Sequence, residues 1–121
     1  RDPDATAREL CTKLGKTFGA RIGVIITDSW GRPFRRGTVG FALGVAGIPP
    51  VWDKRGVADR HGRVLEATEA AVADSIAAAA DLVAGQAAEG RPIGLVRGAH
   101  FLPEVSSAKA LLRDPDDDLY A

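Results

Sequence analysis

A chain of 121 residues suits one domain with a real hydrophobic core and is too short for the two-domain build of many nucleotide-driven enzymes. Its 16 basic and 16 acidic residues cancel, which argues against nucleic acid as a partner and against acidic disorder. No apolar span is long enough for a membrane helix, and the single cysteine, Cys11, excludes an internal disulfide and a cysteine-based zinc site, as expected of a cytoplasmic protein.

Asp2-Pro3-Asp4 reads as a helix start: Asp can cap, Pro tolerates the first turn, and a second carboxylate favours the positive helix end. Leu10, Leu14 and Phe18 recur every four residues and predict one buried face, with Gly19 as the stop. Ile22-Gly23-Val24-Ile25-Ile26 is a short β-branched run, expected as a strand covered on both faces. It is expected to end at Thr27-Asp28-Ser29, with a turn over Trp30-Gly31-Arg32-Pro33. A second strand over 38–48, punctuated by Gly40, Gly44 and Gly47, predicts close backbone contacts, and Pro49-Pro50 ends it.

Residues 53–64 are charged, contain Gly56 and Gly62, and predict a loop or short hairpin. The strongest helix is expected over 66–84, with Val72, Ile76, Ala79 and Val83 as its apolar stripe and Ala77 to Ala80 admitting a close neighbour. Gly85 should end it. A short strand is expected over 92–96 and a short helix over 105–112, before an acidic tail. The fold class is α+β: a single mixed α/β domain with a small sheet and an alanine-rich packed helix. Opening at Arg1 without an initiator Met fits a fragment or a processed product.

Three features could carry chemistry. Asp28 and Ser29, just past a buried strand, offer hard oxygens suited to Mg²⁺ or Mn²⁺ beside phosphate, although spacing alone favours a turn cap. Arg32, Arg35 and Arg36 could neutralise phosphates or a substrate carboxylate, or form a solvated loop. Ala84-Gly85-Gln86-Ala87-Ala88-Glu89-Gly90 leaves a helix end with two glycines; it lacks the Gly-Lys-Ser/Thr of a Walker A loop, and sequence alone favours a plain helix cap. His61 and His100 form no metal-spaced pair.

Taken in order, Val24-Ile25-Ile26-Thr27-Asp28-Ser29-Trp30-Gly31-Arg32-Pro33-Phe34-Arg35-Arg36-Gly37 and 40–48 resemble the coenzyme F-420-0:L-glutamate ligase (F-420 gamma-glutamyl ligase) family. The likeness resumes at Asp59-Arg60-His61-Gly62-Arg63, at 72–83, at Val96-Arg97-Gly98 and at the ending Asp118-Leu119-Tyr120. It implies the C-terminal half of such a ligase over residues 1–121, with the family's N-terminal half, which supplies other GTP contacts and another metal-binding Asp, unmatched here.

The family's enzymes use GTP and a divalent cation, Mg²⁺ or Mn²⁺, to join L-glutamate to coenzyme F-420-0 through a gamma-glutamyl amide. The resemblance implies that Asp28 and Ser29 are catalytic metal ligands. It also implies that Ala84, Gly85, Gln86, Ala87, Ala88, Glu89, Gly90 and Arg91 form the nucleotide-binding segment. A family member can carry Glu as a second-metal ligand where this chain has Gln86, and a neutral amide is the weaker Mg²⁺ ligand. Arg32, Arg35 and Arg36 are substrate-binding candidates outside the family's assignments. A homodimer is expected. Two other classes compete: a same-scaffold ligase for another carboxylic acid, and a non-catalytic dimerisation module with the alanine-rich helix as its interface.

Overall fold

The structure, a computed structural model, describes residues 2–101 and 103–118. Leu119 and Tyr120, the end of the resemblance, lie outside the described residues.

Helix α1 spans Pro3–Phe18. Its start and stop follow from the sequence: the Asp2 carboxylate accepts from Ala5 N at 3.1 Å, Pro3 occupies the first turn, and Gly19 takes the left-handed cap at φ 60°. The buried face differs from the expected one. Ala7 and Asp4 are buried and Cys11 and Leu14 half-buried, whereas Leu10 and Phe18 are exposed. A strict four-residue step advances about 40° beyond a full helical turn, so that row winds off the face that the 4, 7, 11, 14 spacing keeps.

Strands β1 (Val24–Arg32) and β2 (Arg35–Ala46) form an antiparallel hairpin. β1 does not stop at Thr27; it runs on for five residues, so Asp28 and Ser29 lie inside the strand. The turn is made by Pro33 and Phe34 instead. Proline fixes φ at the first position, and Phe34 takes φ 59°, a conformation rare for an aromatic residue. Thr27, Asp28 and Trp30 face strand partners Ala42, Phe41 and Val39, and that pairing extends the strand past its apolar run.

One residue, Leu43, is skipped between the pairs Ile26↔Gly44 and Thr27↔Ala42, which makes a β-bulge. The Ala42 N–H donates to Asp74 Oδ1 at 2.9 Å.

Helix α2 spans Val72–Ala84, six residues later than expected. The segment before it is taken by β4 (Glu69–Ala70), which pairs with β3 (Trp52–Asp53). Between them the chain makes an irregular hairpin: Gly56 N donates to Leu65 O and Leu65 N to Val57 O. Its tip is pinned by Asp59, whose Oδ1 accepts from His61 N and Arg63 N. The helix start has no side-chain cap; the Ala73 N–H is satisfied by Pro50 O at 3.1 Å.

The buried residues of α2 are Val72, Ala73 and Ala77, while Val83 and Ala79 of the expected stripe face outward. Close approach to a glycine strand selects the alanine row. A Cβ on Gly40 would lie 2.7 Å from Ala77 O, and one on Gly44 would lie 2.4 Å from the Pro3 carbonyl. The expected close backbone contacts in β2 are therefore present, one to each helix.

Ala42, Val45, Ala73 and Ala108 form the core, with Ile25, Ile48 and Leu111 packed against it. Adjacent residues of β2, Gly44 and Val45, meet α1 and α2 respectively, so the two helices cover opposite faces of the ribbon. Residues 92–96 form no strand; Gly94 lies along α2, where an added Cβ would sit 3.1 Å from Ala80 Cβ. The helix expected over 105–112 is reduced to a 3-10 turn, Ala108–Leu111, and a second such turn is Pro115–Asp117.

Candidate active site

Alternation along β1 separates the two residues of greatest interest. Thr27, Ser29 and Gly31 pair with Ala42, Gly40 and Thr38, on the face where Gly40 meets α2. Asp28 and Trp30 pair with Phe41 and Val39 on the other face, and the Trp30 and Phe41 rings stack there at 4.5 Å. Side chains of neighbouring strand residues project to opposite sides. Asp28 and Ser29 therefore serve different faces of the ribbon.

Asp28 is exposed, and its Oδ1 accepts from Ser29 N at 2.8 Å. That bond leaves further carboxylate lone pairs directed outward.

On the α2 face, the loop after the helix folds back toward the ribbon. Gly85 and Gly90 take φ of 83° and 67°, conformations that favour glycine. Glu89 closes the loop by accepting from Ala87 N at 2.8 Å, and Arg91 Nη1 donates to Val83 O at 3.1 Å. Gln86 reaches across to β2: Thr38 Oγ1 donates to its Oε1 at 3.4 Å. Its Nε2 donates to Asp81 Oδ2 in a short hydrogen bond.

Ser29 and Gln86 are thus on one face, with Thr38 and Asp81 between the strand and the loop. Sequence reading singles out neither Thr38 nor Asp81. The available signal is that Asp81 is the sole charged residue between Ser75 and Gln86.

The arginines fall elsewhere. Arg32 and Arg35 pair at the hairpin end, with Arg36 beside them, all exposed. Arg32 is four strand steps from Asp28, roughly 13 Å. They form a basic tip and do not surround Asp28. His61 and His100 are exposed. An open cleft of about 540 Å³ lies along α1, lined by Cys11, Lys16, Arg21, His100 and Phe101 among others, and includes neither Asp28 and Ser29 nor the three arginines nor the 84–91 loop.

The donors available are hard oxygens, the chemistry of a Mg²⁺ or Mn²⁺ site, so their type fits such an ion. Among the described residues no group of three His, Cys, Asp or Glu converges on one point. Each face offers only a few such donors. Nor is any helix among the described residues long and apolar enough to cross a membrane.

Comparison with known proteins gives the family. The family model described as F420-0:Gamma-glutamyl ligase matches residues 1–98, which include Asp28, Ser29 and the whole 84–91 loop. The chain is 48% identical over 122 residues to the Coenzyme F420:L-glutamate ligase of Methanothermobacter thermautotrophicus, covering 99% of this chain and 48% of the relative. It is 46% identical over 125 residues to that of Methanopyrus kandleri, covering 98% and 49%. The same-named protein of Methanocaldococcus jannaschii is 42% identical over 120 residues, covering 99% and 48%. The chain spans about half the length of the curated relatives it matches. On the match over residues 1–98, the chain belongs to the F420-0:gamma-glutamyl ligase family.

Proposed function

We propose that this chain forms part of the active site of a GTP- and divalent-metal-dependent ligase that joins L-glutamate to coenzyme F-420-0. The observation that carries the reading is the family match across Asp28, Ser29 and the 84–91 loop, two segments that the fold brings to one end of the ribbon.

A carboxylate does not condense with an amine in water without activation. In the proposed reaction the γ-phosphoryl group of GTP passes to a carboxylate oxygen of F-420-0, and GDP leaves. The amine of L-glutamate then attacks the acyl carbon, inorganic phosphate leaves, and the amine loses a proton as the amide forms. A bound divalent cation supplies charge neutralisation at the phosphate oxygens.

Asp28 on one face, and Ser29 with Gln86 on the other, would hold such cations. The loop 84–91, opened by Gly85 and Gly90, would lie against the nucleotide. Arg32, Arg35 and Arg36 at the hairpin end would engage anionic groups of the substrate away from the reacting atoms. With so few donors on each face, residues from the rest of the longer protein would complete the site, and a cytoplasmic homodimer belongs to the same reading.

Asp28→Ala tests it. Asp28 is exposed and makes only a local hydrogen bond, so the full-length variant is expected to keep its circular dichroism and melting behaviour. GTP-dependent formation of glutamylated F-420 should fall at least about 100-fold, following loss of charge stabilisation in the transition state. Unchanged turnover at saturating Mn²⁺ would sink the assignment. Residues 1–121 alone are expected to show no ligation.

A further inference from the structure

Gln86 stands where the metal reading wants a ligand, yet its amide is neutral and can present either of two ends. A carboxamide offers an acceptor oxygen on one side and an NH₂ donor on the other, and only the oxygen can face a cation. Something must decide which end faces the ribbon.

Asp81 is placed to decide it. An ionised carboxylate only accepts hydrogen bonds, so the end of the Gln86 amide against Asp81 Oδ2 has to be Nε2. Oε1 is then turned toward Thr38, on the face that carries Ser29. The position of Asp81 is itself built by the fold. A Cβ on Gly40 would lie 2.9 Å from Asp81 Cβ, so Asp81 reaches the ribbon only because its strand neighbour has no side chain. Gly40 is the cross-strand partner of Ser29. Ser29, Thr38, Gln86 and Asp81 are thus linked through two glycines, Gly40 under the carboxylate and Gly85 at the helix end.

We propose that Asp81 is a positioning residue for the cation site: through its hydrogen bond it locks the Gln86 amide with the oxygen toward Ser29 and Thr38, and it lends that neutral ligand a negative charge one bond behind. The inference rests on the metal-dependent reading above. Outer-shell carboxylates fix the orientation and raise the donor strength of the ligands they touch.

The test uses the full-length protein and Mn²⁺ alone, titrated by electron paramagnetic resonance. Asp81→Asn is expected to weaken Mn²⁺ binding about tenfold or more, the usual loss when an outer-shell partner is removed. Gln86→Ala should match it, the double variant should add nothing, and Asp81→Glu should restore part of the loss. Without metal, the Gln86 side-chain NH₂ resonances should be shifted and slow to exchange in the wild type and should relax to free-amide values in Asp81→Asn.

Gln86→Glu, on an exposed loop residue, provides a variant that does not disturb the helix. A carboxylate presents an acceptor oxygen at either end and needs no neighbour to orient it, so in the Gln86→Glu background the further change Asp81→Asn should no longer weaken Mn²⁺ binding. Weakened binding in Gln86→Ala with none in Asp81→Asn overturns the role of Asp81 and leaves the metal reading intact. A Gln86 amide signal indifferent to Asp81→Asn overturns it whatever the metal does. Absence of Mn²⁺ binding in every variant, wild type included, brings down the metal reading and this inference together.

Discussion

Replacing Asp4 with Ala is expected to cost about 2–6 kcal/mol of folding free energy, because truncation strands two buried backbone donors at about 1–3 kcal/mol each. Asp4 is only 7% exposed, yet it is a carboxylate. It accepts from Val45 N at 2.9 Å, from Ala108 N at 3.0 Å and from Ser107 Oγ at 2.5 Å. One side chain therefore ties α1 to β2 and to the segment more than a hundred residues away. The Ser107 hydroxyl can rotate toward another acceptor and adds less. Against the roughly 5–15 kcal/mol that holds a typical domain, the loss is large.

Charge matters as well as hydrogen bonding. Burial by itself would raise the Asp4 pKa; the bonds from Ser107, Ala108 and Val45, and the charge of Arg8, outweigh it and hold the carboxyl below its ordinary 3.8. A folded pKa below the unfolded one means that this stability is fully present above about pH 4 and drains away as pH falls through the lowered folded value. Urea unfolding followed by circular dichroism at neutral pH, and again at steps below about pH 5, reads both effects. The acid-side slope should be shallower in Asp4→Asn than in the wild type. A neutral-pH difference between wild type and Asp4→Ala under about 1 kcal/mol would refute the reasoning, since it falls below even two minimal unsatisfied donors.

Gly44→Ala would drive a methyl to within 2.4 Å of the Pro3 carbonyl and should destabilise by about 1–3 kcal/mol in the same unfolding assay. Gly31→Ala, with no neighbour within 4 Å, should be neutral or slightly stabilising. Asp74→Ala removes the acceptor of the Ala42 N–H at the bulge; amide exchange at Ala42 should quicken more than at Val45, and equal protection would show that the bulge holds itself.

The sequence makes the element order legible where local chemistry decides it. Asp2-Pro3 starts α1 and Gly19 stops it, Gly85 stops α2, and the spaced glycines of β2 announce two close contacts. Periodicity misleads where tertiary packing chooses among apolar rows. In both helices alanines take the closest positions against the ribbon, so Phe18 and Val83 are left outside while Ala7 and Ala77 are buried. Residues 92–96 look like a strand by composition, but they lie along α2 at Ala80 and pair with neither strand of the ribbon.

The candidate site was legible as a set of donor-bearing residues and not in its geometry. Asp28-Ser29 reads as a strand end because the β-branched run stops at Ile26; cross-strand pairing with Phe41 and Gly40 carries the strand onward and sends the two side chains apart. The Asp81–Gln86 contact spans five residues across a glycine cap, a spacing that neither helical nor strand periodicity flags.

The bulge at Leu43 links these observations. Side-chain direction alternates with a period of two, so one unpaired residue reverses the faces beyond it. Gly40 and Gly44, four apart, would otherwise meet the same helix; with the bulge, Gly40 lies under α2 and Gly44 under α1. The ribbon is thereby divided into a core end, where Ile25 and Val45 pack on Ala73, and a site end. At the site end, Asp28 stands on one face and Asp81 on the other, with Glu89 in the loop beside Gln86, and among the described residues no three carboxylates converge. Mg²⁺ is ordinarily held by one or two carboxylates together with substrate phosphates, not by a dedicated protein cage. On the proposed reading, that sparse charge leaves part of each cation's shell to nucleotide phosphates, so Mn²⁺ should bind alone but more tightly with GTP present.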